Sequence, residues 1–218
     1  LTFKTGYEAL HSGAFNRASL EGEDVGVLLG VDKCDWMFAR PSSAATSVYT
    51  MSSAANNIAA GRTCYTLGMQ GPCVTYDTAC SSALTAAHGG LRVIQFLECE
   101  ATVVQGVNII LNPVTHAAFF IAGLASPTGR SHVFDNRADG MGRGEACCTL
   151  LLRVDHGQMS SSLALTGVAV RQDGRSSSLT APNGPAQQHL FIAAIRDAGF
   201  QPAQVALCEA HGTGTKLG

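Results

Sequence analysis

Residues Tyr76 to Gly90 read YDTACSSALTAAHGG. Back from the cysteine, the stretch PCVTYDTA is short and β-branched, which predicts a strand. Forward from Ser81, Leu84, Ala87, Leu91 and Ile94 recur at helical spacing and predict a helix to about Leu97. Cys80 therefore stands where a strand runs straight into a helix. Unpaired amides and the macrodipole favour an anion at such a place. A thiol there is expected to have a lowered pKa and to be nucleophilic. Ser81, Ser82 and Ala83 are small and leave room for a substrate. A buried structural cysteine fits the local pattern equally well. Gly89 and Gly90 each cost the helix roughly 1 kcal/mol against alanine, which predicts close packing against another backbone.

Outward from this stretch, strands alternate with helices. DVGVLLG (Asp24 to Gly30) predicts a buried strand, and residues 47–68 an alanine-rich helix closed near Gly61 or Gly68. ATVVQGVNIIL predicts the next strand, and Pro113 opens a short helix. SPTGRSHVFDNRADGMGRGE is polar and glycine-rich, a long loop of the kind that is often functional. ACCTLLLRV and SLALTGVAVRQDG predict two neighbouring, paired strands. NGPAQQHLFIAAIRDAGF predicts an amphipathic helix with Leu190, Ile192, Ala193, Ala194 and Ile195 on its apolar side. QVALCEAHGTGT predicts a strand entering a glycine-rich turn. The alternation predicts an α/β fold with mainly parallel strands.

The 218 residues suit one large domain or two small ones, and 46% hydrophobic with 14% charged content is core-forming. A net charge of −2 argues against nucleic acid and acidic membrane as partners. No stretch approaches a membrane span. Eight cysteines, Cys34, Cys64, Cys73, Cys80, Cys99, Cys147, Cys148 and Cys208, lack C-x-x-C spacing, so no metal is expected. Mostly free, buried thiols in a reducing compartment are expected. Neither end carries a terminal signal, and the sequence stops in HGTGTKLG, so a fragment is expected.

His211 follows a predicted strand in the turn CEAHGTGT, and could meet Cys80 in one cleft as a Cys–His site. A lone structural histidine is the other reading, and His88, His116, His132 and His189 are assigned to it. Ser81 is a weak rival nucleophile, because no G-x-S-x-G elbow is present.

DTACSSAL, FDNRADGMGRGE, QDGRSSSLTAPNGPAQ and EAHGTGTKLG together resemble, in family order, the motif blocks of the β-ketoacyl synthases. The third block favours the ketosynthase domain of a type I polyketide synthase. The resemblance implies a thiolase-like fold, layered α-β-α-β-α. Residues about 1–155 would be the N-terminal half and about 156–218 the start of the C-terminal half. It implies decarboxylative Claisen condensation, an acyltransferase activity in polyketide biosynthesis. Cys80 would carry the acyl thioester, and its amide would be one oxyanion donor. His211 would assist decarboxylation of a malonyl-type extender and stabilise the enolate. Thr213 and Thr215 would hold the 4'-phosphopantetheine arm of an acyl carrier protein, with no cofactor bound directly. The implied partners are that carrier protein, other polyketide synthase domains and a second copy, with the strand near Val74 to Thr78 by the two-fold axis. A cytoplasmic setting is expected.

Cys73 replaces the family's usual serine, Met141-Gly142 its tyrosine-valine pair, and Cys147-Cys148 its small residues. The family's second catalytic histidine and its other oxyanion donor lie beyond the HGTGT block, so the segment alone is expected to be inactive. The alternatives are a non-catalytic docking or dimerisation domain, a fatty-acid condensing enzyme, another thiolase-like enzyme, and a metal or redox protein.

Overall fold

The computed structural model describes residues 1–32, 35–39, 47–157 and 163–216; Cys34 lies outside them. The chain forms two compact units. The first comprises residues 1–111 and 145–164, the second residues 112–144 and 165–218.

The first unit is built on a four-stranded sheet. Its strands are β1 (Val25–Val31), β2 (Cys73–Tyr76), β3 (Ala101–Asn108) and β4 (Ala146–Arg153), in the order β2-β1-β3-β4. β1 is parallel to β2 and to β3, whereas β4 is antiparallel to β3. The helices are α1 (Thr2–Ser12), α2 (Arg17–Leu20), α3 (Trp36–Ala39), α4 (Thr50–Ala54), α5 (Asn56–Leu67) and α6 (Ser82–Gln95).

Side-chain alternation along β1 and β3 explains the layers. Val25, Val27 and Leu29, with Ala101 and Val103, point to one face and join Leu10 of α1 and Ala60 and Leu67 of α5 in the larger core. Leu28 and Val104 point the other way, against Ala86 and Ala87 of α6. On that second face Gly30 and Gly106 stand side by side in register. A Cβ on Gly30 would lie 2.5 Å from the Ala83 nitrogen, and one on Gly106 would lie 2.8 Å from the Ala83 Cβ. The two glycines thus form a floor on which the first turn of α6 rests. Gly89 and Gly90 of α6 are also tightly packed, but against side chains: Tyr76 for Gly89, and Val104 and Thr102 for Gly90. The expected backbone approach belongs to Gly30.

The second unit holds α7 (Pro113–Ile121) and α8 (Gly184–Asp197). Asn112 and Asn183 cap them, accepting from the amides of Val114 and Ala186. Two expected strands are not formed. Residues 163–173 and 205–215 are in no ladder, and β4 pairs with β3 rather than with residues 163–173. A strand is completed by its neighbour's ladder of hydrogen bonds, and among the described residues neither segment is in such a ladder. For the same reason the apolar side of α8 is only half covered, with no fully buried residue.

The thiols also depart from expectation. Cys73, Cys80, Cys148 and Cys208 are exposed, Cys64 and Cys147 are half-buried, and Cys99 is buried. Three of the four exposed thiols sit on the edge strands β2 and β4 and on the segment after residue 204, which is in no ladder. All seven are free.

Candidate active site

Cys80 lies in a single 3-10 turn, Ala79–Ser81, between the end of β2 and the start of α6. The turn is sharp enough to force Ala79 to φ 54, a left-handed conformation that costs a non-glycine residue energy. Hydroxyl groups hold it closed. The Thr78 amide donates to Ser82 Oγ at 2.8 Å, and Ser82 Oγ donates to the Ala79 carbonyl at 2.7 Å. Ser81 Oγ donates to the Thr78 carbonyl at 2.9 Å and also reaches Thr78 Oγ1 at 2.8 Å. Thr85 Oγ1 donates to the Ser81 carbonyl at 3.1 Å. The Ala79 amide donates to Asp77 Oδ1 at 3.3 Å, and the Ser81 amide to the Thr78 carbonyl at 3.3 Å. The amide of Cys80 takes part in none of these bonds.

The two serines after Cys80 therefore do more than leave space. Ser82 is buried and bridges both sides of the turn, while Ser81 is committed to Thr78 and so is occupied as a hydroxyl. The dense run of Thr and Ser around Cys80 was the available signal for this stapling.

The histidine block lies in the second unit. His211 is exposed, ahead of a turn in which Gly212 (φ 45) and Gly214 (φ 70) adopt left-handed conformations. The two threonines face each other, with Thr213 Oγ1 and Thr215 Oγ1 3.0 Å apart. The turn rests on the long loop predicted before β4. The Gly140 amide donates to the Gly214 carbonyl at 3.1 Å, and a Cβ on Gly214 would lie 3.0 Å from the His132 nitrogen. A Cβ on Gly212 would lie 2.7 Å from a Val133 methyl. Two sequence blocks separated by about seventy residues thus form one surface.

That loop is irregular but held. Ala125 and Met141 form an isolated bridge, and the Ser126 amide donates to the Met141 carbonyl at 2.9 Å. Asp135 receives the Arg137 guanidinium at 2.7 and 3.0 Å and the Arg137 amide at 2.9 Å. These hydrogen bonds hold the Asp135 carboxyl well below the usual carboxylate range. Asp139 Oδ1 and Arg143 Nη1 are buried with no hydrogen-bond partner among the described residues, and the Arg143 guanidinium lies 5.2 Å from the centre of the Phe119 ring. Buried orphans of this kind are rare. Sequence reading singled out their block but not these two residues.

Among the described residues no three His, Cys, Asp or Glu side chains stand together as a metal site would require. No described helix is long and apolar enough to cross a membrane. Cys80 belongs to the first unit, and His211, Thr213 and Thr215 to the second.

The chain is 37% identical, over its whole length, to a mycocerosic acid synthase-like polyketide synthase of Mycolicibacterium smegmatis. It is 38% identical over 97% of its length to erythronolide synthase EryA3 of Saccharopolyspora erythraea. It spans only 11% and 7% of those two proteins. Among solved structures, the ketosynthase from module 6 of the bacillaene synthase of Bacillus subtilis 168 matches with a TM-score of 0.86 at 29% identity. That match covers 99% of this chain and 38% of the ketosynthase. The oxazolomycin ketosynthase domain OzmH KS7 of Streptomyces albus JA3453 matches with a TM-score of 0.86 at 30% identity, over 100% of this chain and 39% of that one. The fold is accordingly the thiolase-like α/β fold of these ketosynthases. Residues 1–156 match the family model for the β-ketoacyl synthase N-terminal domain and residues 163–218 that for its C-terminal domain, so the chain belongs to the β-ketoacyl synthase family.

Proposed function

We propose that the protein of which this chain is part performs decarboxylative Claisen condensation, with Cys80 as the acyl-carrying nucleophile. One observation carries the reading: an exposed thiol in a stapled, strained strand-to-helix turn whose own amide donates none of the hydrogen bonds found among the described residues. The Cys80 sulfur attacks the carbonyl carbon of a carrier-bound thioester. The carbonyl oxygen gains negative charge beside the Cys80 amide, and the pantetheine thiol leaves. A malonyl-type extender then loses carbon dioxide. The resulting enolate attacks the Cys80 thioester, a carbon–carbon bond forms, and the thiol is released.

His211 is the group that stabilises the enolate, as a hydrogen-bond donor placed where charge develops. Thr213 and Thr215 present two hydroxyls side by side, a suitable grip for the amide-rich 4'-phosphopantetheine arm of an acyl carrier protein. That Cys80 and His211 serve the same condensation is part of the proposal. So is the division into thiolase-like halves at about residues 155–156. The full-length polyketide synthase relatives favour polyketide over fatty-acid assembly and make other synthase domains the natural partners. The free edge of β2 supports pairing with a second copy. A cytoplasmic setting belongs to the same reading.

The test is intact mass of the full-length protein after incubation with a short acyl-pantetheine thioester. One adduct is expected, with complete loss in Cys80→Ala at unchanged circular dichroism. Acylation of the Cys80→Ala protein at another residue would overturn the assignment.

A further inference from the structure

Cys80 is held by more than its own turn. β2 enters that turn and α6 leaves it, so the angle between the two elements sets how the turn must close. Tyr76 is the last residue of β2, and Gly89 lies in the middle of α6. A Cβ on Gly89 would overlap Tyr76 Oη and would stand 2.7 Å from Cζ and 3.2 Å from Cε2. The tip of the tyrosine ring therefore rests on bare helix backbone, and any side chain at residue 89 would displace it.

Register explains why the ring arrives there. Tyr76 pairs with Gly30 of β1, on the face of the sheet that sets Leu28 and Val104 against Ala86 and Ala87. On that face Gly30 lets the first turn of α6 down onto the sheet at Ser82 and Ala83. Ser82 and Gly89 lie about two turns apart on one side of the helix, and both are buried. α6 is thus set down at two points, over a glycine of β1 at its start and on the Tyr76 ring farther along. The ring contact lies on a face of the sheet and not on its edge, so main-chain pairing of β2 with a second copy leaves it in place.

We propose that Tyr76 is a positioning residue for Cys80: its ring on Gly89 fixes the angle between β2 and α6 and so keeps the Cys80 sulfur and the Cys80 amide in register. The inference rests on the reading of Cys80 as the acyl-carrying nucleophile. Residues 77–81 alone join the two elements, so a change in their angle passes directly into the turn. Ala79 stands there at φ 54, and such a conformation persists only where the surroundings over-determine it. Without the ring on Gly89 the turn relaxes, and sulfur and amide lose their common aim at the thioester carbonyl. Acylation needs both groups, one to attack and one to receive the developing charge. Alkylation of the thiol needs the sulfur alone.

The experiment uses the full-length protein and measures two rates at Cys80, each located by fragmentation of its peptide: acylation by a short acyl-pantetheine thioester and alkylation by iodoacetamide. Tyr76→Ala should slow acylation at saturating thioester about tenfold or more, with little change in half-saturation or in alkylation. Tyr76→Phe keeps the ring and should keep most of the acylation rate. Gly89→Ala should slow acylation as Tyr76→Ala does, because its methyl group displaces the ring, and it carries the test should Tyr76→Ala not fold. Stability should change sign across the pair. Gly89→Ala alone should lower the urea midpoint, but added to Tyr76→Ala it should raise it, since alanine is the better helix residue once the ring is gone. Unchanged acylation in folded Tyr76→Ala or Gly89→Ala, equal losses of acylation and alkylation, or the same midpoint shift from Gly89→Ala in both backgrounds would each overturn the proposal. An acyl group on another residue of the wild type, or none at all, would overturn the reading of Cys80 and the role of Tyr76 with it.

Discussion

β1 reads VGVLLGV and residues 165–171 read LTGVAVR. Both are seven residues long, apolar and interrupted by glycine, yet one is the centre of a sheet and the other has no ladder. β1 has a parallel neighbour on each side and sheds water on both faces, with Val27, Leu28 and Leu29 fully buried. In residues 165–171 the Val168 amide donates to Asp197 Oδ2 of α8 at 2.9 Å, while Leu165 and Val170 remain exposed. Strand propensity measures how well a side chain fits a pleated, half-covered surface, and without the surface the same composition stays irregular. The two units thus show one kind of sequence with and without its partners.

The most damaging way to break the comparison is at the glycine floor. In Gly30→Val a Cβ would meet the backbone of Ser82 and Ala83 at 2.5 to 2.6 Å, and backbone there cannot rotate away. We expect a loss of about 3 kcal/mol or more in urea unfolding, and loss of Cys80 acylation in whatever protein stays folded. Normal acylation in a stable Gly30→Val protein would show that α6 is not seated by this floor.

A smaller effect is expected at the turn itself. Ser82→Ala removes the oxygen that accepts from Thr78 and donates to Ala79, in a buried position. The cost should be about 1–3 kcal/mol, with slower acylation of Cys80 at saturating thioester. A Ser82→Thr variant keeps the oxygen and should recover part of the rate. Equal rates in the wild type and Ser82→Ala would mean that the strain at Ala79 is held by packing alone.

These residues show what could be read in advance. The strand–cysteine–helix junction follows from local composition, and β1, β2, β3, β4 and α5 to α8 follow from periodicity and caps. α1 was not legible, because Leu1 offers no side-chain cap and the first turn has no acid. What holds α1 is distant: Thr149 Oγ1 donates to Thr5 Oγ1 at 2.8 Å, and Gln105 Nε2 donates to the Thr2 carbonyl at 2.6 Å. The meeting of the GTGT turn with Gly140 is equally non-local. The segments at 163–173 and 205–215 have strand composition but no ladder, because a ladder is a property of two strands and a sequence window shows only one. The motif blocks make Cys80 and His211 stand out, but the hydroxyl staple around Cys80 and the burial of Asp139 Oδ1 and Arg143 Nη1 without a hydrogen-bond partner among the described residues emerge only from the folded chain.

The smallest predicted effect sharpens the comparison most. Leu207 is 83% exposed in a segment with strand composition. Truncating a fully buried leucine such as Leu29 costs roughly 2–5 kcal/mol, because transfer and cavity terms add. Leu207→Ala in this 218-residue chain should change stability by less than about 0.5 kcal/mol, since no packing is lost. Its backbone amides, and those of residues 165–171, should exchange with deuterium far faster than those of β1 and β3. Run on the full-length protein, the same pair of measurements reads out whether another segment supplies the missing ladder. Slow exchange together with a core-sized cost at Leu207 would mean that the second unit is completed there as the first already is. Fast exchange in both proteins would make the irregular backbone a native feature, and the exposed run around Cys208 would then lead into the histidine turn as a loop and not as a strand.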